Sequence, residues 1–356
     1  MTTSQNMLNI TKIPDVPAPS IIDAPNTQRT STILKTFSII DILKPPKTPK
    51  VPDVKKKDIE NAYGAHKGNW GDLDVFAEEF INFGYWKDIY EIKSLEIETR
   101  KQSEVALYKY VIKRLEILKT DTVLEIGCGR GAGIANVLSC MDIKKIIGID
   151  IVDAQIERAI TMNHRQQCSE EKKDFYSKLT KIFKKKAPFS GKSIEHNEEG
   201  IEFFVGSASS TGLESGTINK ILSVEVFQHI KNFDPVAIEI KRVLVPGGTI
   251  AFCSHLSTNE DSYLKLRDEN LLLDVIEILN PVNKVTSAFE KQGFKGECSS
   301  IGQFVFPGYE RWITQINTTA TDSHKIYESY ERGYIDYFSC VFTLGSEKLI
   351  EDGLFL

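Results

Sequence analysis

The chain has 356 residues, of which 44 are basic and 49 acidic, so its formal net charge at pH 7 is −5. This length gives room for one large or two small domains with an ample core. The mildly acidic balance provides no overall field that would attract nucleic acid, so we do not expect a nucleic-acid substrate. The six cysteines lie in apolar segments without a C-x-x-C pair. This pattern argues against zinc and against a disulfide framework, and it favours reduced thiols.

The N-terminal sequence has the composition of a leader rather than of a folded domain. Residues 1–57 contain eight of the 13 prolines together with many Ser and Thr residues. Such a segment buries too little apolar surface to offset the entropy of ordering it, so we predict a disordered leader here and a folded domain over 58–356. Within the leader, the apolar stretch 32–43 either docks on the domain or a partner, or is part of the disordered linker.

The sequence shows no signal for membrane insertion or export. No run reaches the ~18 apolar residues that span a bilayer, and the N-terminus lacks the charged-then-apolar pattern of a signal peptide. We therefore expect a cytoplasmic protein.

Residues 123–134 read VLEIGCGRGAGI and predict a strand, a tight turn and the start of a helix. Glycines are needed where the backbone adopts a positive φ or lies against a ligand. The N–H groups at the start of the next helix then face whatever occupies the turn. The spacing also fits the G-x-G-x-x-G/A pattern of dinucleotide-binding folds, so the loop alone leaves a nicotinamide enzyme open.

Three further features favour another class. Glu125 lies two residues before the first glycine, where it can accept hydrogen bonds from a bound ammonium group or from the loop. The apolar run 145–150 ends in Asp150, an acid placed for a ribose diol. The later segment 244–250, LVPGGTI, gives a turn that feeds a further strand. Together these features resemble the class I S-adenosylmethionine-dependent methyltransferases.

The resemblance covers about residues 60–345 and implies an α/β fold. This fold is a Rossmann-like, seven-stranded, mostly parallel sheet with an antiparallel last strand, helices on both faces and a helical cap over the substrate site. We expect the sixth strand at 294–301 and the last strand at 338–343, at the edge of the sheet. The resemblance also implies S-adenosylmethionine as the cofactor.

The same resemblance assigns the residues that contact this cofactor. They are Glu125, Gly127, Cys128, Gly129, Asp150, Ile151, Ser207, Ala208 and Ser223. Ser207 departs from the family, which usually has Gly-Asp-Ala where this chain has Gly206-Ser207-Ala208. The missing acid would accept a hydrogen bond from the adenine amino group, so cofactor affinity is either reduced or carried by other residues.

The predicted fourth strand, 218–223, runs into VEVFQHI, which resembles the S/C-x-E-x-x-x-H element of small-molecule methyltransferases. Glu225 and His229 are the candidate catalytic residues, because a helical turn would place them on one side. A neutral histidine can take a proton from a hydroxyl as the methyl group is transferred. The alternative for His229 is a structural role.

Two aromatic segments are candidates for the substrate wall. The segment 82–86, NFGYW, resembles an element of methyltransferases that act on sterols, tocopherols, polyketides and lipid-like phenols, and it offers Tyr85 and Trp86. A predicted lid insertion at 303–335 offers Tyr309 and Trp312. All four residues either contact the substrate or belong to the core. No metal-ligand constellation is visible, which argues against a magnesium-dependent mechanism.

A lysine-rich insertion at 163–200 interrupts the pattern of the family. It is either a solvated face or a contact site for an anionic membrane, partner or phosphorylated substrate. The resulting hypothesis is methyl transfer to a small, apolar, hydroxylated molecule, with oxygen favoured as the acceptor atom and carbon as an alternative. A non-catalytic descendant that binds a partner through the leader or the insertion is the second hypothesis. The sequence leaves the oligomeric state open.

Overall fold

The computed structural model describes residues 59, 76, 80–89, 95–136, 138, 141–167, 200–269, 271, 278–316 and 321–346. All of them belong to the compact unit Val51–Leu356. The leader and most of the lysine-rich insertion lie outside the described residues, so the predictions made for them remain predictions. No described helix combines the length and the apolar character that crossing a membrane requires.

Strands and helices alternate along the described part of the chain. The strands are β1 (Thr122–Ile126), β2 (Lys145–Asp150), β3 (Ile201–Val205), β4 (Ile218–Val224), β5 (Leu244–Ser257), β6 (Phe294–Ser300) and β7 (Ile335–Leu344). The helices are α1 (Ile97–Lys113), α2 (Ala132–Asn136), α3 (Asp153–Gln167), α4 (Phe233–Val243), α5 (Glu260–Asp268), α6 (Val282–Lys291), α7 (Phe306–Gln315) and α8 (Thr321–Glu331). Every residue of β1 is buried, as expected for a parallel strand covered on both faces.

The strands of the described ranges form one seven-stranded sheet in the order β3-β2-β1-β4-β5-β7-β6. The first five strands pair in parallel, and β7 runs antiparallel to both of its neighbours. The strand order reverses between β1 and β4, and open α/β sheets bind ligands beyond the carboxyl ends of the strands at such a point. The predicted fold class is confirmed.

The predicted edge position of the last strand is wrong. β7 lies between β5 and β6, in register from Thr249↔Thr343 to Ser257↔Ile335 on one side and along all of β6 on the other. β6 is the edge strand, and its residues 295–297 are exposed. Chain order cannot reveal this insertion, because either of the two final strands satisfies a local alternating pattern.

The expectation of reduced cysteines is also wrong for one pair. Cys298 and Cys340 lie directly opposite each other on β6 and β7 and are joined by a disulfide. The antiparallel register brings their β-carbons together, although 42 residues separate them in sequence. Cys128 and Cys253 are buried free thiols.

Helical layers cover both faces of the sheet. On one face, α4 and α6 bury apolar residues such as Ile240 and Phe289 against the strands. On the other face, residues of α1, α3 and α7 join a second cluster that includes Leu107, Ile156 and Trp312. Two core layers therefore hold the sheet rigid, and the carboxyl ends of its strands remain free to form a site.

The turn after β1 requires glycine at position 127 for two reasons. Gly127 has a φ of 71°, and a β-carbon there would lie 2.1 Å from Cγ2 of Val226 in the turn after β4. We expect Gly127→Ala to lower the free energy of unfolding by about 3 kcal/mol, through left-handed strain together with overpacking. Urea denaturation would measure this loss.

Gly129 provides the matched control for this substitution. Its φ is 54°, but a β-carbon there would meet nothing within 4 Å. Gly129→Ala should therefore cost only the backbone term of about 1–2 kcal/mol. Equal losses in the two variants would refute the contact with Val226, whereas partial rescue of Gly127→Ala by Val226→Ala would support it.

Candidate functional site

A cavity of about 420 Å³ lies beyond the carboxyl ends of β1, β2 and β4. Three groups of residues form its wall. The glycine loop and the ends of β2 and β3 contribute Gly127, Cys128, Gly129, Asp150, Ile151, Gly206, Ser207 and Ala208. The turn after β4 and the end of β5 contribute Glu225, Gln228, His229 and His255. An aromatic side is formed by Phe76, Phe80, Phe83 and Tyr108.

The glycine loop turns its backbone towards this cavity. The amides of Gly127 and Cys128 donate to the carbonyl of Ile149 at 2.8 and 2.9 Å, which anchors the loop on β2. Gly129 follows with a φ of 54°, and the space where a β-carbon would stand is open. The loop therefore leaves room for a ligand to approach the main chain closely.

Asp150, at the end of β2, holds the glycine loop through a hydrogen bond from a backbone amide of the loop. Its Oδ2 accepts a hydrogen bond from the Gly129 amide at 3.0 Å, and its Oδ1 accepts one from the Val152 amide at 2.9 Å. Burial raises the pKa of Asp150 to about 6, although these amide donors lower it. Each carboxylate oxygen keeps a further lone pair, so Asp150 can accept from a diol while it holds the loop.

The loop after β3 is held in place by α4. The amide and the hydroxyl of Thr211 both donate to Oε1 of Glu239, at 2.8 and 2.6 Å. Arg242 pairs with Glu239 and donates to the carbonyl of Leu213 at 2.8 Å. Arg242 and Thr211 lower the pKa of Glu239 to about 2. These contacts with α4 fix the position of the loop after β3, which contributes Ser207 to the cavity wall.

Two of the predicted cofactor residues do not reach the cavity wall. Glu125 is fully buried, and its Oε1 accepts a hydrogen bond from the hydroxyl of Tyr108 at 3.0 Å. Burial raises the pKa of Glu125 to about 8. Ser223 is also fully buried and donates to the carbonyl of Ile126 at 2.9 Å, which links β4 to β1. Both residues support the site from behind, because their side chains point between elements.

Glu225 occupies the turn after β4 in an unusual conformation. Its φ of 54° lies in the left-handed region, which is sparsely populated by residues other than glycine and costs roughly 1–3 kcal/mol. The Glu225 amide donates to the carbonyl of Cys253 at 2.9 Å, and Gln228 donates to the carbonyl of Glu225. Its side-chain Oε1 accepts from the Phe83 amide at 2.7 Å. Backbone strain held by such contacts is typical of functional residues.

The structure brings both predicted catalytic residues to the cavity. His229 ends a short 3-10 helix, Phe227–His229, and lines the wall together with Glu225. A second histidine, His255, was missed by the sequence analysis. It is 1% exposed, its ring lies 5.3 Å from that of Phe83, and it partly offsets the rise that burial causes in the pKa of Glu225. Its position at the carboxyl end of β5 was the available signal, since ligands bind at that edge.

The four aromatic residues predicted for the substrate wall do not line the cavity. Trp86, Tyr309 and Trp312 are at most 3% exposed, and none of the three lines the wall. Tyr85 stacks on Tyr110 with the ring centroids 4.7 Å apart. Of the two alternatives left open for these residues, the burial of Trp86, Tyr309 and Trp312 favours the core, and the neighbouring Phe83 faces the cavity.

Buried Arg100 explains this arrangement. Its guanidinium lies 5.7 Å from the ring centre of Trp86 and 5.6 Å from that of Tyr309, so both rings face a cation. The same group donates to the carbonyl of Asn82 and pairs with Glu104. Helix α7 packs so closely that a β-carbon at Gly308 would lie 2.1 Å from the Trp86 ring. The indole therefore faces away from the cavity.

The described residues hold no group of three or more His, Cys, Asp or Glu side chains that could bind a metal ion. The wall does offer what S-adenosylmethionine requires. It has an open glycine loop for close approach and a carboxylate, Asp150, for a diol. Behind the wall, Oε2 of Glu125 is buried without a hydrogen-bond partner among the described residues. The residues present fit this cofactor.

Residues 124–252, which include the glycine loop, Asp150 and Glu225, match the family model of a methyltransferase domain. This part of the chain is therefore similar to a methyltransferase domain. The family prediction made from the glycine loop is confirmed. The matched region runs from β1 into β5 and so contains most of the cavity wall.

The curated proteins that are similar to this chain include sterol 24-C-methyltransferases. A sterol 24-C-methyltransferase from Kluyveromyces lactis is 23% identical over 222 residues, which cover 61% of this chain and 52% of that protein. A sterol 24-C-methyltransferase from Saccharomyces cerevisiae is 24% identical over 225 residues, which cover 61% of this chain and 50% of that one. The chain thus spans about half the length of the curated relatives it matches.

Solved structures share the fold at low identity. A geranyl diphosphate C-methyltransferase from Streptomyces coelicolor A3(2), in complex with Mg²⁺, geranyl diphosphate and S-adenosyl-L-homocysteine, matches with a TM-score of 0.59 and 13% identity. The match covers 82% of this chain and 98% of that one. At this identity the likeness shows the fold alone.

Proposed function

We propose that this protein transfers the methyl group of S-adenosylmethionine to a carbon atom of a small apolar acceptor that contains a carbon–carbon double bond. The observation that supports this proposal most directly is the Glu225 carboxylate, which lines the same cavity as the rings of Phe76, Phe80, Phe83 and Tyr108. A double bond that gains a methyl group becomes a carbocation. A carboxylate and the faces of aromatic rings beside the double bond would stabilise this positive charge. The cavity wall would keep water away from the carbocation.

The division of the cavity supports the same reaction. Asp150, the glycine loop and the loop of Ser207 form one half and would hold the cofactor, which supplies an electrophilic methyl group when it is bound. The rings of Phe80 and Phe83 line the other half. Glu225 lines the same cavity, so the protein would align acceptor and donor beside it and exclude water.

The proton that the methylated acceptor must lose has a nearby destination in Glu225. Burial raises the pKa of Glu225 above its usual range, so its carboxylate is a stronger base than an exposed one. His255 lies close enough to lower the pKa of Glu225, which partly offsets the effect of burial. Glu225 would therefore first stabilise positive charge and then accept the proton. The names of the curated relatives, sterol 24-C-methyltransferases, favour carbon as the acceptor atom.

A labelled methyl donor would test this function with the purified full chain. We would supply an acyclic prenyl alcohol and a sterol with a side-chain double bond, each beside its fully hydrogenated counterpart. We expect label only in the unsaturated molecules, with the hydroxyl still free in the product. Label in the hydrogenated molecules would instead indicate transfer to oxygen. Absence of label together with no cofactor binding in calorimetry would overturn the proposal.

Transfer to a hydroxyl is a second candidate because His229 also lines the cavity, at the end of the turn that begins with Glu225. A neutral imidazole there could remove the hydroxyl proton. On the carbon mechanism, we expect His229→Ala to change kcat less than threefold. On the oxygen mechanism the same variant should lose a factor of about 10²–10⁴ in kcat with its cofactor affinity unchanged. Parallel kcat measurements and calorimetry would distinguish the two mechanisms.

A further inference from the structure

The hydroxyl of Tyr337 lies beside the carboxylate on which the proposed function depends. Tyr337 is fully buried in β7, and its hydroxyl donates a hydrogen bond to Oε1 of Glu225 at 2.7 Å. The same hydroxyl lies 3.7 Å from the sulfur of Cys253. Tyr337 does not belong to the cavity wall. It therefore contacts Glu225 from behind and would act through that residue rather than on a ligand.

Two donors from different parts of the fold meet at one oxygen. The Phe83 amide, in the segment before α1, reaches Oε1 of Glu225 at 2.7 Å, as does the Tyr337 hydroxyl. Among the described residues, both hydrogen bonds to this carboxylate end at Oε1. A carboxylate oxygen has two lone pairs in its plane, so two donors fix the rotation of the group. Oε2 then remains for the acceptor.

We propose that Tyr337 is a positioning residue, whose hydroxyl fixes Oε1 of Glu225 and so presents the other carboxylate oxygen to the acceptor. This inference rests on the proposed function and deepens it. The last strand, inserted between β5 and β6, thereby becomes part of the site although it contributes no side chain to the cavity at this point. Its unexpected interior position is what brings the tyrosine to Glu225.

The charged and titratable groups around Glu225 come from several elements. His255 on β5 and Arg100 on α1 lower its pKa, as do the Phe83 amide and the Tyr337 hydroxyl, while burial raises it. Burial and the neighbouring Glu225 and Cys253 keep the pKa of Tyr337 well above its ordinary value. Tyr337 thus stays protonated near neutral pH and acts as a donor. Removing its hydroxyl withdraws one stabiliser of the ionised carboxylate, so the pKa of Glu225 should rise further.

Tyr337→Phe tests this role because it removes one oxygen and keeps the buried ring. We expect kcat/KM for methyl transfer to fall about tenfold and the acid limb of the pH profile to move about one unit higher. The affinity for S-adenosylhomocysteine should stay within twofold of the wild type. Tyr263→Phe, at another buried tyrosine that lies outside the cavity wall, is the matched control and should change neither quantity.

A measurement that does not depend on turnover separates this inference from the proposed function. In protein labelled with ¹³C-glutamate, the carboxyl resonance of Glu225 would be assigned by its loss in Glu225→Gln and titrated in the wild type and in Tyr337→Phe. A pKa about one unit higher in the variant supports the positioning role, even if no acceptor is methylated and the proposed function fails. An unchanged pKa, or an equal loss of cofactor affinity and turnover, overturns it.

Discussion

Glu225→Gln is expected to lower kcat for methyl transfer by a factor of about 10²–10³ while the affinity for the cofactor stays unchanged. The glutamine side chain has the same shape, and its amide oxygen can still accept from the Phe83 amide and the Tyr337 hydroxyl. What it lacks is the negative charge that stabilises a cationic acceptor and then takes its proton. Turnover of a labelled methyl donor and calorimetry with S-adenosylhomocysteine would measure the two quantities.

Glu202→Gln is the matched control for this prediction. Glu202 is a nearly buried carboxylate on β3 that pairs with Lys145, and it does not line the cavity. We expect full turnover from this variant. If Glu225→Gln kept more than half of the wild-type turnover, the carboxylate would have no part in the reaction, and His229 would become the leading candidate.

Asp150→Ala is expected to weaken cofactor binding about 100-fold. The variant removes the acceptor for the amides of Gly129 and Val152, so the glycine loop loses its hydrogen bond to Asp150 and keeps only the attachment to the Ile149 carbonyl at the end of β2. Hydrogen bonds to a charged group contribute about 1.5–3 kcal/mol each, so the loss of such contacts readily reaches the ~2.7 kcal/mol that a 100-fold change requires. Calorimetric titration with S-adenosylmethionine and S-adenosylhomocysteine would measure the change.

The affinity for the cofactor should also depend on pH, and the pKa of Asp150 determines the direction of the change. Burial raises the pKa of Asp150 to about 6, so below pH 6 the free protein holds a protonated acid there. A diol that donates to the carboxylate favours the ionised form, and affinity should therefore fall as the pH drops below 6. Asp150→Asn should remove this dependence.

Asp153→Ala controls for the loss of negative charge near the loop. Asp153 is exposed in the first turn of α3, three residues further on, and does not line the cavity. Its removal should leave affinity unchanged. Wild-type affinity in Asp150→Ala would instead show that the cofactor binds away from the glycine loop, and the proposed function would lose its basis.

Local sequence was sufficient to predict the glycine loop and Asp150, which both line the cavity. The glycine turn and the acid that ends β2 are each encoded within a few residues, because strand ends and tight turns depend on short-range backbone conformation. The carboxyl ends of neighbouring parallel strands must meet at one edge of a sheet, so the turn that contains Glu225 was also predictable. Its left-handed φ of 54° was not, since no rule assigns that conformation to a glutamate.

The aromatic half was predicted in composition but not in orientation. The segment 82–86 offered three rings, and Phe83 faces the cavity while Trp86 packs behind it. A positive φ of 79° at Gly84, the guanidinium of Arg100 and the close approach of Gly308, far along the chain on α7, decide between them. Such choices depend on partners that are distant in sequence.

The sequence by itself therefore determined the fold class and the family, through the resemblance of its motifs to those of a known family, and it determined the order of these motifs along the chain, because each motif is short and local. Only the tertiary structure decided that β7 enters the sheet between β5 and β6, which pairs Cys298 with Cys340 and brings Tyr337 to Glu225. It likewise decided that His255 lines the cavity. Strand insertion, register and side-chain contacts follow from the packing of the whole core, in which each surface is buried by residues far away in the chain.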